Sequence, residues 1–318
     1  MRQAAVPNND VEPTENLFLS TNGTPIFELD ALAHASWTTC NCIVRADARV
    51  ALAHLPTALA NTIVTSPPYY GHRDYAASDQ IGSEDSPEDY ITHLVAMFRE
   101  ARRVLRDDGT LWLNIGDKYF NKQLLGLPWR VALALVADGW ALRSDIIWHK
   151  PNAVPASITT RPTVDHEYIF LLSKPNCEYY YDADSIREPH VTFSSKSRMR
   201  GGRNHFWKRG STPEAGKNGG NQNLHDARWD QAFHPLGRNK RTVWEVPLSK
   251  FRGAHFAVFP EKLIEPCILA GSPRGGVILD PFFGSGTTGV VALNNGRRFV
   301  GVDVNPDYCA LARGRLVT

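Results

Sequence analysis

The feature that most constrains this chain is a glycine-rich turn placed almost at its end. Asp280-Pro281-Phe282-Phe283-Gly284-Ser285-Gly286-Thr287-Thr288-Gly289 follows the apolar run Val277-Ile278-Leu279, which reads as a buried strand. It precedes a helical stretch that stops at Gly296. Glycines between strand and helix let backbone N–H groups and the positive helix end approach a ligand closely. Gly284, Gly286 and Gly289 keep G-x-G-x-x-G spacing, and an acid, Asp303, follows about twenty residues on. By itself this is the fingerprint of a dinucleotide site. Only about thirty residues remain after it, too few to complete a doubly wound sheet, so the other strands must come from earlier in the chain.

The earlier chain supplies them. Cys42-Ile43-Val44-Arg45, Asn61-Thr62-Ile63-Val64-Thr65, Thr110-Leu111-Trp112-Leu113-Asn114-Ile115 and Ser144-Asp145-Ile146-Ile147-Trp148 are short runs with strand character. Ser86-Pro87-Glu88-Asp89 is a strong helix start, and Ile91, Leu94, Val95, Phe98 and Leu105 recur at helical spacing until Gly109. A second helix is predicted from Pro128 to Gly139, and others from Pro260 and after Asn305-Pro306. Strands alternating with helices of this length predict an α/β fold, a mostly parallel sheet covered on both faces. Residues 165–172 and Glu178-Tyr179-Tyr180-Tyr181 lie close enough to form a hairpin, so the sheet is expected to end in an antiparallel pair. Residues 1–35 are polar with little periodicity and read as a loose arm.

Charge divides the chain more sharply than hydrophobicity does. The total is only +2, but residues 187–252 hold fourteen Lys and Arg against five acids, a net +9 that leaves −7 for the remainder. Periodicity vanishes over the same span, and Phe206, Trp207 and Trp229 lie among the charges. A basic segment with interleaved aromatics on an otherwise acidic chain is what a polyanion-binding region should look like, with a flexible solvated loop as the alternative. Residues 36–186 and 253–318 then form one domain interrupted by this insert. The five cysteines are scattered, and Cys40-x-Cys42 is too tight for a zinc pair and lacks a second one, so no metal site is expected. No apolar run reaches membrane-spanning length, and the first twenty residues lack a signal-peptide pattern. A cytoplasmic protein with no membrane partner is the expectation.

A second turn carries chemistry. Thr65 runs straight into Ser66-Pro67-Pro68-Tyr69-Tyr70. Consecutive prolines fix φ and remove two backbone donors, holding the chain rigid and extended with its carbonyls unpaired. A rigid turn with a hydroxyl, free carbonyls and an aromatic face suits a flat heterocycle bearing an exocyclic amine. The N–H groups would bond Ser66 Oγ and the Pro67 carbonyl while the ring stacks on Tyr69. Ligands of open α/β sheets sit at the carboxyl ends of strands, and both turns occupy such ends. They therefore belong on the same side of one sheet.

Together the two turns resemble those of the DNA amino-methyltransferases. The stretch Asp280 to Thr288 is similar to that family's S-adenosylmethionine motif, and Ser66-Pro67-Pro68-Tyr69 to its catalytic motif. Catalytic motif first, basic insert next and cofactor motif last is the order of the β group. The likeness spans residues 40–185 and 250–318. It implies a Rossmann-like S-adenosylmethionine methyltransferase sheet with permuted motif order and a target-recognition region over 187–252. It also implies roles: Asp280 at the methionine end of the cofactor, Phe282, Gly284, Ser285, Gly286 and Thr287 around it, and Asp303 on the ribose hydroxyls. Two hydroxyls donating to one ionised carboxylate is sound chemistry. Asp47 resembles the acid beside the adenine amine, although the residue reads equally as a helix cap. Phe256, Pro260 and Lys262 match the helix that closes over the cofactor, while Phe256 and Lys262 also fit ordinary packing and a solvated charge. Asn152, Pro155, Arg161 and Glu167 match residues around the base pocket. Arg198, Arg200, Arg203, Lys208, Arg209, Arg238, Lys240 and Arg241 are expected on DNA, some at phosphates and a few at base edges.

The reaction the resemblance implies is direct methyl transfer from a sulfonium to the exocyclic nitrogen of a base flipped out of duplex DNA onto Tyr69. That nitrogen's lone pair is conjugated into the ring. Hydrogen bonds to Ser66 and the Pro67 carbonyl favour a more pyramidal, nucleophilic atom, and alignment with the methyl group supplies much of the rest. Family members with Ser first in the catalytic motif are mostly cytosine-N4 enzymes and those with Asp mostly adenine-N6 enzymes, so Ser66 favours cytosine; adenine N6 is the alternative. Double-stranded DNA is the expected partner, and the resemblance admits a homodimer and a cognate restriction nuclease. A P-loop is excluded because no Lys-Ser/Thr follows the glycines, and a dinucleotide oxidoreductase leaves Asp280-Pro281 and the Pro-Pro turn unexplained. Pro266-Cys267, mid-helix and followed by Ile268, reads as core rather than as a cytosine-C5 nucleophile. An inactive DNA-binding relative and an RNA methyltransferase are the other readings. Intact Ser66, Asp280 and Asp303 oppose the first, and the catalytic-first order opposes the second.

Overall fold

The computed structural model describes residues 24–29, 32, 37, 41–71, 80–189, 236–248 and 259–316. In chain order the elements are β1 (Ile26–Glu28), β2 (Cys42–Arg45), α1 (Ala48–His54), β3 (Ala60–Thr65), α2 (Pro87–Val104) and β4 (Leu105–Ile115). A two-stranded ribbon, β5 (Tyr119–Phe120) and β6 (Gln123–Leu124), precedes α3 (Leu127–Ala137), β7 (Ala141–His149), β8 (His166–Ser173) and β9 (Val243–Glu245). The chain then forms α4 (Glu261–Gly271), β10 (Val277–Asp280), α5 (Thr287–Asn294), β11 (Arg298–Asp303) and α6 (Pro306–Arg315).

Nine strands form one sheet in the order β1-β2-β11-β10-β3-β4-β8-β7-β9. Neighbours run parallel except at β8, which is antiparallel to both β4 and β7. This order accounts for the late glycine turn. From β3 the chain passes through α2 to β4 on one side, and from β10 it passes through α5 to β11 on the other. The paths diverge at the β3–β10 pair, and the crevice outside the carboxyl ends of such a pair is where open α/β sheets bind ligands.

Period-two alternation builds a core on each face of the sheet. Val44, Ile63, Leu279 and Val300 meet Leu52 of α1, Leu94 and Phe98 of α2, and Val131 and Leu135 of α3. Ile43, Val64, Ile278 and Phe299 meet Leu263 and Ile268 of α4, Val291 of α5 and Cys309 of α6. Cys267 belongs to this second core, as its apolar spacing implied. Burying each large side chain contributes roughly 1.5–3 kcal/mol, which fixes the sheet as a rigid platform for its strand ends. Ser86 caps α2, with its Oγ 3.1 Å from Asp89 N.

Four stated expectations are corrected, each for a local reason. Strand β8 is antiparallel to β7 and β4, residues 165–172 do not pair with Glu178–Tyr181, and the sheet ends on β9, parallel to β7. The stretch Glu178–Tyr181 leaves the sheet, with Tyr180 N donating to Asp108 O (2.8 Å) and Tyr181 stacked on Trp112. Helix α2 stops at Val104 rather than Gly109, because the chain is already extended at Leu105 and pairs with β3 across a register shift. Gly109 suits that shift, since a Cβ there would lie 2.9 Å from Asn61 O. Inside the stretch read as an arm, β1 pairs parallel with β2 and buries Phe27. Inside the basic segment, β9 pairs with β7, and Trp244 packs 6.4 Å from Trp112.

Candidate active site

The two turns meet in the crevice between β3 and β10. Thr65, the last residue of β3, donates from Oγ1 to Asp280 Oδ1 (2.7 Å), the last residue of β10. Asp280 also accepts from Thr288 Oγ1 at the start of α5 (2.6 Å) and from Phe282 N (3.1 Å). The carboxylate thus ties both strands and the helix start into one unit. Burial disfavours its charge more than these three donors favour it, and its pKa is pushed up to about 6.

Beyond Asp280 the loop turns on two left-handed glycines, Gly284 (φ +50°) and Gly286 (φ +80°). A Cβ at Gly286 would lie 2.9 Å from Ala312 Cβ, so α6 backs the loop there, whereas a Cβ at Gly284 would meet nothing within 4 Å. The open side of Gly284 adjoins Asp303 at the end of β11. Asp303 Oδ2 accepts from Gly284 N (2.7 Å) and Oδ1 from Asn305 N (2.8 Å). Each oxygen keeps acceptor capacity for a further donor. Burial raises this acid too, to about 6, against the pull of the two backbone donors. An open glycine beside a half-buried carboxylate with spare acceptor sites fits the ribose end of S-adenosylmethionine.

Other expected cofactor residues have defined partners within the protein. Ser285 and Thr287 face Arg315 of α6, whose Nη1 donates to Ser285 O and Oγ (both 2.8 Å) and to Thr287 Oγ1 (3.2 Å). Phe282 is half-buried beside the first core. Asp47 is the N-cap of α1, accepting from Arg49 N (2.8 Å) and pairing with its guanidinium (3.0 Å). It follows the end of β2, next to β11, where Ala46 N donates to Asp303 O (3.1 Å). Lys262 is exposed on the first turn of α4, beside the N-cap Pro260. Phe256 lies outside the described residues.

The Pro-Pro turn is held from three sides. Tyr90 Oη of α2 donates to Pro68 O (2.9 Å), and the ring of Tyr69 lies against Gly116, where a Cβ would come within 2.8 Å of it. Tyr69 Oη donates to Glu167 Oε2 (2.6 Å) of β8, and Ser66 Oγ donates to Tyr69 Oη (3.3 Å). Asn114 Nδ2 donates to the same Glu167 oxygen (3.1 Å), and Lys150 forms an ion pair with the other. Burial first, and the Glu167 charge second, hold the Tyr69 phenol well above its ordinary pKa, so it is a neutral donor. Of this network Ser66, Tyr69 and Glu167 were expected. Asn114 and Lys150 were not, although a polar Asn within the apolar run of β4 was a usable signal. Thr65 and Thr288 lay within the two motifs without an assigned role, and Tyr90 and Arg315 carried no signal.

At the far edge of the sheet, Arg238, Lys240 and Arg241 converge on Glu188, with nitrogens 3.2, 3.7 and 3.4 Å from its carboxylate. Three cations sharing one acid leave that edge positive. Arg198, Arg200, Arg203, Lys208 and Arg209, and the aromatics Phe206, Trp207 and Trp229, lie outside the described residues. Among the described residues no group of three or more His, Cys, Asp or Glu could hold a metal ion, and no helix is long and apolar enough to cross a membrane.

A mostly parallel sheet with a rigid Ser-Pro-Pro-Tyr turn beside an Asp-Pro-Phe-Phe-Gly turn defines a class, and the comparisons with known proteins agree. A family model for DNA methylases, covering the N6 and N4 enzymes, matches residues 60–314. The type II methyltransferase M.SmaI of Serratia marcescens is 42% identical over 88% of this chain and 91% of its own length. M.Cfr9I of Citrobacter freundii is 40% identical over 94% and 89%. Among solved structures, the cytosine-N4-specific PvuII DNA methyltransferase superposes with a TM-score of 0.62 at 18% identity, over 87% of this chain and 86% of that one. A putative DNA modification methylase from Thermus thermophilus, solved with S-adenosyl-L-methionine, gives 0.54 at 26% identity, over 86% and 93%. This chain belongs to the N6/N4 DNA methylase family, and its motif order is that of the β group of DNA amino-methyltransferases.

Proposed function

We propose that this protein methylates the exocyclic N4 of a cytosine flipped out of duplex DNA, with S-adenosylmethionine as donor. The observation that carries the reading is the Thr65–Asp280 hydrogen bond (2.7 Å), which joins turns that are 215 residues apart in sequence. Cofactor loop and base-binding turn are thereby braced against each other. When bound, S-adenosylmethionine supplies an electrophilic methyl group on a sulfonium. Asp303 takes the ribose hydroxyls, and Asp280 keeps the loop and the Pro-Pro turn in register. Ser66 Oγ and the Pro67 carbonyl accept from the target amine, raising the nucleophilicity of its nitrogen, and Tyr69 offers the stacking face. The basic region recognises the site, with Arg238, Lys240 and Arg241 among its DNA contacts. Adenine N6 is the competing substrate, and Ser66 at the first motif position argues for cytosine.

The protein would act in the cytoplasm and would shield the recognised site from a cognate restriction nuclease. Sedimentation with and without DNA distinguishes a monomer from a homodimer. The direct test is transfer of labelled methyl groups to duplex DNA by wild type and Ser66→Ala. The variant is expected to bind S-adenosylmethionine normally and to turn over about 10²–10³-fold more slowly, the usual cost of removing one transition-state hydrogen-bond partner. Wild-type turnover by the variant would remove Ser66 from the mechanism.

A further inference from the structure

The ribbon β5–β6 has features that its role in the fold does not require. It leaves the end of β4 just after Gly116, which touches the Tyr69 ring, and its base is fastened to the catalytic turn. Lys118 Nζ donates to Gly71 O (2.6 Å), two residues past Tyr69. Asp117 Oδ1 accepts from Lys118 N (2.8 Å) and from Leu127 N of α3 (3.1 Å), and Leu125 N donates to Lys118 O (3.0 Å). Arg161, from the β7–β8 connection, lies over the Tyr119 ring, 3.6 Å from its centroid.

The tip is built against local preference. Asn121 (φ +49°) and Lys122 (φ +65°) are both left-handed, the pattern of a tight hairpin turn in which the second position normally belongs to glycine. A lysine there costs on the order of 1 kcal/mol and places a cation at the apex that glycine could not supply. The strands pair Tyr119 with Leu124 and Phe120 with Gln123, yet Phe120 is 59% and Leu124 53% exposed. A two-stranded ribbon that buries so little is not held for core packing. Among the described residues its cations are Lys118, Lys122 and Arg161, and the acid at its base, Asp117, accepts from two backbone amides. The outer surface is thus apolar and positive, beside the turn proposed to receive a flipped base.

We propose that this ribbon is a wedge that enters the DNA duplex at the target, with Phe120 taking the place of the extruded base and Lys122 meeting a phosphate. The proposal rests on the base-flipping reading given above. Extruding a base unstacks its neighbours at a cost of a few kcal/mol, and an apolar side chain inserted between base steps offsets part of it.

The test uses the full chain and a duplex bearing the methylated site found by sequencing, with 2-aminopurine next to the target. Wild type should raise the fluorescence on binding. Phe120→Ala should lower that rise and reduce kcat/KM about tenfold or more, the equivalent of losing some 1.4 kcal/mol, with S-adenosylmethionine affinity unchanged. Phe120→Leu should keep most activity, and a duplex with an abasic position opposite the target, already loosened, should restore Phe120→Ala toward wild type. Lys122→Ala should reduce the salt dependence of binding by about one phosphate contact. Normal flipping and methylation by Phe120→Ala would overturn the wedge, as would an equal loss on both duplexes. Unchanged methylation with a dimer dissociated by Phe120→Ala would assign the ribbon to an interface between copies instead. No fluorescence rise with wild type would overturn the flipping reading itself, and the wedge with it.

Discussion

At Glu167 one carboxylate meets a phenol, an amide and an ammonium at once, through Tyr69, Asn114 and Lys150. Removing its charge leaves the half-buried Lys150 without its ion-pair partner and loosens the Tyr69 ring proposed as the stacking face for the target base. Glu167→Gln is therefore expected to lower kcat about tenfold or more while cofactor affinity stays constant. Combined with Tyr69→Phe the losses should be less than additive, because both changes break one contact. Strict additivity in a double-mutant cycle would show that Glu167 acts elsewhere. Asp303 gives a pH dependence with two opposite signs. Its folded pKa, about 6, lies above the ordinary carboxyl value, so the folded state binds protons more readily than the unfolded one. Its ionisation therefore weakens the free protein as pH rises from about 4 to about 6. Thermal melts should show wild type gaining on Asp303→Asn as pH falls from 7 to 5. Cofactor affinity should instead decline below about pH 6 in wild type, as the acceptor is protonated, and that decline should be smaller in Asp303→Asn, where Asp280, also raised to about 6, still titrates.

Among the elements, the fit of the cofactor loop against β11 includes a tight aromatic contact beside its hydrogen bonds to Val302 and Asp303. Phe283 stacks on Phe299 (5.3 Å between centroids) and covers Gly301, where a Cβ would lie only 2.3 Å from Phe283 Cγ. Gly301→Ala must therefore push Phe283 and the loop that follows it away from the sheet. Overpacking of this kind costs about 1–3 kcal/mol, so a lower melting temperature and weaker S-adenosylmethionine binding are expected together. A lower melting temperature with unaltered affinity would show that the loop is not set by this contact. Arg315 supports the same loop from α6 by bonding Ser285 and Thr287, which makes these two residues part of the loop's frame.

Across the whole molecule, the sequence was most readable where a long element or a rigid turn reports on itself. The strand-and-helix alternation, the Ser86 cap and the placement of Ser66 and Asp280 at strand ends could all be read without coordinates. Strands β1, β5, β6 and β9 could not, because two or three residues are too few to show a period and their tertiary partners alone hold them extended. Asn114, Lys150, Glu167 and Tyr69 come from separate parts of the chain, so only the β4–β8–β7 register brings them together. The basic region was legible as charge, yet the sharing of Glu188 by Arg238, Lys240 and Arg241 depends on the edge geometry. What unites these parts is the β3–β10 crevice, which joins the glycine-rich loop to the turn proposed to receive an exocyclic amine. Mass spectrometry of nucleosides from DNA treated with the protein and S-adenosylmethionine tests that most directly. N4-methylcytosine is the expected product, formed by wild type and strongly diminished with Ser66→Ala. N6-methyladenine as the sole product would contradict the assignment of the site to cytosine.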